Sequence, residues 1–389
     1  LPHLVSRFVG RDSEVRELAS ALQQSRLVTL VGPGGVGKTR LAIEVARAAR
    51  STFGEHVYWV GLDNVHDGRD TDVQVARAVI DRPPDDADPR TALIQSFGSR
   101  HTLLVLDSCE HMRAEVADLV ALLLHACPNL SVLATSRSPL HVEGEQRWAI
   151  RPLTLPPAGP SPVGLAELVA ASEAAALFVD RVRGVQHDFQ VGPGGVAAIG
   201  DICARVDGIP LAIELAAVRI NLMTVEEIAE RLRTSFEMLA SGPTANGDRH
   251  STLEASIAWS YGLLGALERT FLHLLTVFPR SFDLRAVSSV CVSDAFSSDM
   301  APNLLALLID KSLISVEVTV NQRRFRWLDP IRSFVIGHGR SDSPSSPSSV
   351  SLPAAVQVDD AALSMRHAAY YLAVAEGAEL KLAREEEAP

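Results

Sequence analysis

The sequence predicts an α/β fold, a parallel sheet sandwiched by helices, followed by a small all-helical domain, a winged-helix domain and a helical C-terminal arm. Three observations predict it. Apolar runs at 27–31, 57–60, 103–106 and 132–135 alternate with stretches of helical periodicity, the pattern of a parallel sheet. A glycine-rich turn lies between the first of these runs and the next helical stretch. The strand signal then fades from about residue 165, and helical patterns dominate to about 312.

The elements follow in order. Residues 1–25 read as a lead-in and a helix, with Asp12 and Ser13 placed to cap it and Val15, Leu18, Ala19 and Leu22 at helical spacing. After the strand at 27–31 and the glycine turn, a helix runs from about 38 to 50 with Leu41, Val45 and Ala48 on one face. Residues 72–80 and 114–125 are further helices between the remaining strands. The Pro/Gly-rich stretch 152–164 is a connector. Residues 313–318 and 323–328 flank a polar turn at Asn321-Gln322, and a helix on either side makes this hairpin the wing of a winged-helix unit. Residues 341–352 are rich in Ser and Pro and cannot bury a core, so they form a linker or disordered loop. The last stretch, 359–386, is helical in pattern. The expected domains are 1–155 around the sheet, 165–245 all-helical, 250–340 winged-helix, a linker at 341–358 and a helical arm at 359–389.

Composition sets bounds on function. A chain of 389 residues holds two to four domains, and 47% hydrophobic residues give each a core. The formal net charge of -11, without a basic run, argues against a broad nucleic-acid surface, which needs a basic stripe. Cys109, Cys127, Cys203 and Cys291 sit in apolar contexts with no Cys-x-x-Cys, as expected of reduced thiols in a cytoplasmic protein. No apolar run approaches the ~18 residues of a membrane helix. The chain opens Leu-Pro-His, with no secretory signal and no initiator methionine, and is expected to be part of a longer protein.

The chemistry lies in Gly32-Pro33-Gly34-Gly35-Val36-Gly37-Lys38-Thr39, a full match to G-x-x-x-x-G-K-[ST] between a strand and a helix. Gly34, Gly35, Val36 and Gly37 would turn backbone N–H groups inward as an anion nest, helped by the helix N-terminus. Lys38 would reach the β- and γ-phosphates, the Thr39 hydroxyl would ligate Mg²⁺, and Arg40 is included as the next residue along the helix. A second stretch, Gly192-Pro193-Gly194-Gly195-Val196, repeats the first five letters but lacks the Gly-Lys-Thr ending and a preceding strand, so it reads as a turn before a helix. The run Leu103-Leu104-Val105-Leu106-Asp107 ends a buried strand in a carboxylate at the edge where nucleotides bind, and Asp107 would hold Mg²⁺ and serve catalysis. Val132-Leu133-Ala134-Thr135-Ser136-Arg137 brings Arg137 to the same edge, where it would sense the γ-phosphate. No Asn-Lys-x-Asp guanine reader is found, which favours ATP or ADP as the nucleotide.

These motifs resemble those of the STAND class of signalling P-loop ATPases, in particular the NB-ARC-type module of actinobacterial transcription regulators of the antibiotic-pathway (SARP) and large LuxR types. The resemblance covers residues 1 to about 340, and more weakly the rest. Phe8-Val9-Gly10-Arg11-Asp12 resembles the family's entry motif, which implies that Val9 and Arg11 border the adenine and ribose. Asp107-Ser108-Cys109-Glu110-His111 is similar to its Walker B, with Ser108 where Asn or a second acid is usual. That departure implies slow hydrolysis, with Glu110 as the alternative catalytic base. Gly208-Ile209-Pro210-Leu211 resembles the Gly-Leu-Pro-Leu motif, whose proline packs on the base, and equally reads as a helix break. Trp327-Leu328-Asp329 aligns with the family's Met-His-Asp, so Asp329 is carried over as a nucleotide contact while Leu328 replaces the phosphate-binding histidine and Arg332 is a candidate substitute. Arg366-His367-Ala368-Ala369-Tyr370-Tyr371-Leu372 looks like the start of a TPR-type sensor.

The resemblance implies an ADP/ATP switch with slow hydrolysis inside a larger regulator, fused or partnered to effector and sensor domains, able to oligomerise with nucleotide and touching DNA only through a domain absent from this chain. The alternatives are an ATP-driven remodelling ATPase and a DNA-binding regulator using its own winged helix, whose hairpin carries Arg323, Arg324 and Arg326.

Overall fold

A computed structural model describes residues 1–2, 6–62, 69–80, 88–156, 164–234, 253–262, 264–279, 281–291, 296–311, 313–319, 322–339 and 360–386. The expected linker at 341–358, residues 157–163 of the 152–164 connector and Asn321 of the hairpin turn lie outside these residues. The chain divides into two compact units, 1–253 and 254–389.

The first unit opens with α1 (Asp12–Gln24), β1 (Leu27–Val31), α2 (Lys38–Phe53), β2 (Val57–Gly61), α3 (Arg69–Val79), α4 (Pro89–Phe97) and β3 (Thr102–Asp107). It continues with a 3₁₀ turn (Cys109–His111), α5 (Arg113–Ala126), β4 (Leu130–Ser136) and β5 (Gln146–Ala149). The five strands form one parallel sheet in the order β2-β3-β4-β1-β5. Side chains alternate across a strand, so β3 and β4 feed two cores. Leu104, Leu106, Val132 and Ala134 pack with α3, α4 and α5, while Leu103, Val105 and Leu133 pack with α1 and α2. Burial on both faces is why these strands read as unbroken apolar runs.

The sequence predicted four of the five strands. It missed β5, an edge strand of Gln146, Arg147, Trp148 and Ala149 whose exposure leaves no apolar run. It also missed α4, which Asp88 caps by accepting from the Thr91 N–H at 2.9 Å, with Pro89 in its first turn. One detail is corrected. Asp12 and Ser13 do not cap α1; they lie in its first turn, and the N-cap is Arg11, in left-handed conformation with no side-chain cap bond.

Among the described residues five α-helices follow in this unit: α6 (Leu165–Ala171), α7 (Glu173–Val185), α8 (Pro193–Arg205), α9 (Pro210–Val218) and α10 (Val225–Thr234). The second glycine-rich stretch, 192–196, forms the N-terminal turn of α8, with Gly192 as its N-cap. Between α8 and α9 the chain makes a Schellman turn. The Gly208 N–H donates to Cys203 O at 3.0 Å and the Asp207 N–H to Ala204 O at 3.2 Å, with Asp207 and Gly208 at φ 50° and 66°. Pro210 then starts α9 at a position that needs no N–H donor.

The second unit holds α11 (Leu253–Gly262), α12 (Ala266–Leu274), β6 (Ser281–Phe282), α13 (Leu284–Val290), α14 (Ala301–Asp310), β7 (Ser315–Thr319), β8 (Gln322–Arg326), α15 (Asp329–Gly339) and α16 (Asp360–Glu386). Its strands form an antiparallel sheet in the order β6-β8-β7. Phe278 stacks on Phe282, and the buried Trp327 indole donates to Leu275 O at 3.1 Å. The α16 helix packs on α13, where Arg366 Nε donates to Val290 O at 2.9 Å.

Candidate functional site

The carboxyl ends of β1, β3 and β4 meet at one edge of the parallel sheet, and the glycine octet follows β1 there. The octet turns at Gly34 and Gly35, and Gly35 and Gly37 take φ 78° and 92°, which side chains rarely tolerate. A Cβ on Gly35 would stand 2.9 Å from Leu211 Cβ. Val36 is fully buried and anchors the turn in the core beneath α2.

Lys38 begins α2 and is buried. Its ammonium donates to Gly32 O at 2.9 Å and Pro33 O at 3.1 Å. Burial pulls its pKa down to about 8, against the pull of Glu110 and Asp107, and Arg137 lowers it further. Among the described residues these two loop carbonyls are its hydrogen-bond partners, and no carboxylate forms an ion pair with it.

Thr39, the next residue, is joined to the β3 end. Its hydroxyl donates to Asp107 Oδ1 at 2.9 Å, and the Thr135 hydroxyl donates to the same oxygen at 2.6 Å. Burial raises the Asp107 carboxyl, and the bonds from Thr135 and Thr39 oppose that rise. The Thr135 hydroxyl also accepts from the Ser108 N–H at 2.9 Å, fixing the chain where it leaves β3. Ser108 there has φ 64°, a left-handed conformation in which Asn is far commoner than Ser.

Arg137, just past β4, is 3% exposed and pairs with Glu110, Nε to Oε1 at 3.1 Å. Burial pushes the Glu110 carboxyl up, but Lys38 and Arg137 more than offset it and hold it below the ordinary range. Arg11 comes in from the lead-in. Its Nη2 donates to Arg151 O at 2.6 Å, its Nη1 lies 3.4 Å from the position of a Cβ on Gly37, and its N–H donates to Glu173 Oε1 at 2.6 Å. The edge thus gathers Lys38, Arg137 and Arg11 around a backbone nest, beside a Thr hydroxyl and a carboxylate. Such an arrangement is suited to polyphosphate, with hard oxygen donors for a divalent ion.

Comparison with known proteins agrees with this geometry. The AAA ATPase domain family matches residues 7–134. An "Uncharacterized protein Rv0894" of Mycobacterium tuberculosis is 34% identical over 86% of this chain and 81% of its own. The chain is a P-loop ATPase of the same family as this relative. A second relative, "Putative HTH-type transcriptional regulator Rv0890c" of the same species, is 38% identical over 82% of this chain. The chain spans about a third of that longer relative, 34% of its length. A STAND protein with a tetratricopeptide repeat sensor from Pyrococcus horikoshii aligns over 96% of this chain and 46% of its own, at 14% identity and a TM-score of 0.36.

Membership of the P-loop ATPases implies nucleotide binding, and the remaining residues singled out in the sequence take these places. Val9 is half-buried in the lead-in before Gly10. Arg40, on α2, is engaged by the Ser6 hydroxyl and pairs with Glu214 of α9 at 3.5 Å. Pro210 lies over the end of the octet, its Cγ 3.8 Å from the position of a Cβ on Gly37. Beside it the Leu211 N–H donates to Gly35 O at 3.2 Å, so α9 gives one of its free N-terminal donors to the loop. Asp329 belongs to the second unit, where it is the first residue of α15. Leu328 is buried there, and Arg332 Nη2 donates to Thr276 O at 2.7 Å.

Sequence reasoning missed Thr135 as the partner of Asp107 and the pairing of Glu110 with Arg137. The strand pattern held a signal for the first. With β3 and β4 parallel neighbours and Leu106 opposite Ala134, the residue after Ala134 comes level with Asp107. Among the described residues no cluster of metal-ligating side chains is found and no helix is long and apolar enough to cross a membrane.

Proposed function

We propose that this chain is an adenine-nucleotide switch of slow hydrolysis within a longer transcription regulator. The observation that carries the proposal is the convergence of Lys38, Thr39, Asp107 and Arg137 on a glycine loop that α9 holds through the Leu211–Gly35 bond. Lys38 and the octet amides bind the β-phosphate. Thr39 and Asp107 are the residues that would hold magnesium, which when bound supplies Lewis-acid charge to the phosphates. Asp107 and Glu110 are the candidate catalytic carboxylates, Arg137 reads the γ-phosphate, and Val9, Arg11, Arg40 and Pro210 border the rest of the nucleotide.

Within this reading, residues 165–245 are a small helical domain and 250–340 a winged-helix regulatory domain. The relative named as an HTH-type regulator supports placing the module in such a protein. The hairpin arginines give little support to DNA binding by the module itself, since Arg324 is spent on Ser281.

Inverting a two-state population from 1:99 to 99:1 takes about 5.5 kcal/mol of differential affinity. A nucleotide at a thousand times its Kd stabilises its state by about 4 kcal/mol. Exchange of ADP for ATP therefore needs help from a signal bound elsewhere on the longer protein.

The nucleotide released when the purified protein is denatured is expected to be ADP, and Lys38→Ala is expected to weaken ADP binding at least tenfold. Full ADP occupancy in that variant would overturn the proposal. Turnover is expected below about 1 s⁻¹, and faster turnover would favour a remodelling ATPase.

A further inference from the structure

Glu110 lies in the 3₁₀ turn after β3, with its side chain 8% exposed. Its Oε1 accepts from Arg137 at 3.1 Å, while its Oε2 is buried with no hydrogen-bond partner among the described residues. A carboxylate oxygen left unpaired in the interior is costly, and natural proteins keep such atoms for a reason. The side-chain partner of the carboxylate is therefore the β4-tip arginine, itself buried.

We propose that Glu110 determines nucleotide specificity: its carboxylate holds the Arg137 guanidinium that a terminal γ-phosphate would draw on, so that the site selects a nucleoside diphosphate over a triphosphate. This rests on reading the octet as a nucleotide site. A γ-phosphate that draws on Arg137 shares the guanidinium with Glu110, which already takes its Nε at 3.1 Å and carries a second, unpartnered oxygen. Like charges that close in a buried setting repel strongly. A diphosphate meets neither obstacle, because the loop amides and Lys38 hold its β-phosphate. The role differs from that of a general base, which would govern the rate of hydrolysis and leave ground-state selectivity alone.

The experiment is equilibrium binding of ADP and of a non-hydrolysable ATP analogue, both with magnesium, to the full chain stripped of nucleotide. The unaltered protein is expected to bind ADP at least tenfold more tightly than the analogue. In Glu110→Gln, which keeps shape and removes charge, the analogue is expected to gain at least tenfold, about 1.4 kcal/mol, while ADP changes less than threefold. In an Arg137→Ala background the same change is expected to give a smaller gain, since the contested cation is gone. Equal affinity of the unaltered protein for the two ligands would overturn the inference, whether or not the variants fold. An unchanged ratio in Glu110→Gln, or parallel loss of both ligands, would overturn it too. ADP binding that depends on Lys38 without selectivity sinks this inference alone, whereas binding of neither ligand sinks the nucleotide site with it.

Discussion

The Lys38 ammonium is buried against two loop carbonyls with its pKa pulled down to about 8, and that has a measurable cost. An unfolded lysine titrates near 10.4. Between about pH 8 and pH 10 the unfolded chain therefore binds the proton that the folded one has lost, and folding stability rises with pH across that window. The gain, on the order of 3 kcal/mol, is expected to appear in urea unfolding of nucleotide-free protein as a difference from Lys38→Met, whose pH profile lacks it. ADP affinity is expected to fall as pH rises through 8, because the loop then loses its charge. Profiles that coincide for the two proteins would refute this account of Lys38. Lys38, Thr39 and Asp107 were legible in the sequence because each occupies a fixed place in a strand-loop-helix motif or at a strand end. Thr135 was not, because threonine in a strand is also what β-propensity alone would choose. The pairing of Glu110 with Arg137 was hidden by their separation of 27 positions along the chain.

Among elements, the turn from α8 to α9 is where local geometry most constrains the site. Gly208 has φ 66°, and a Cβ there would stand 2.4 Å from Leu153 O, a backbone atom that cannot swing aside. The Gly208 carbonyl in turn accepts from the Leu153 N–H at 3.0 Å, tying the turn to the segment that leaves β5. Gly208→Ala is expected to destabilise the first unit by about 2–4 kcal/mol, read as a lower urea midpoint with unchanged slope, and to weaken ADP binding because Pro210 and Leu211 follow directly. A loss below about 1 kcal/mol would show that the turn relaxes freely. The sequence announced this turn as a break at proline. The central strands were legible because burial on both faces makes them apolar throughout. The β5 strand was not, since it gains its place by pairing with β1 and only Trp148 touches the core. The α4 helix was marked by Asp88 and Pro89, but its nine residues bury only Ala92, Leu93 and Phe97.

At the scale of the whole molecule, the division at 253/254 puts the octet, Asp107, Arg137, Arg11 and Pro210 in one compact unit and Asp329 in the other. A fragment of residues 1–253 is accordingly expected to unfold cooperatively and to bind ADP with magnesium. A folded fragment blind to ADP would refute the placing of the nucleotide site at this sheet edge. The sequence suggested finer parts than two, because composition registers each change of texture along the chain, whereas compactness depends on which helices share a core. The joint between Leu211 and Gly35 has one more consequence. Both of its atoms are peptide atoms, so no exchange of side chains deletes the bond, and at position 211 only proline removes the donor. Divergence can recolour every surface around this joint and still inherit it, which makes the coupling of helix to loop a property of the main-chain trace and leaves side chains to tune only how firmly it closes.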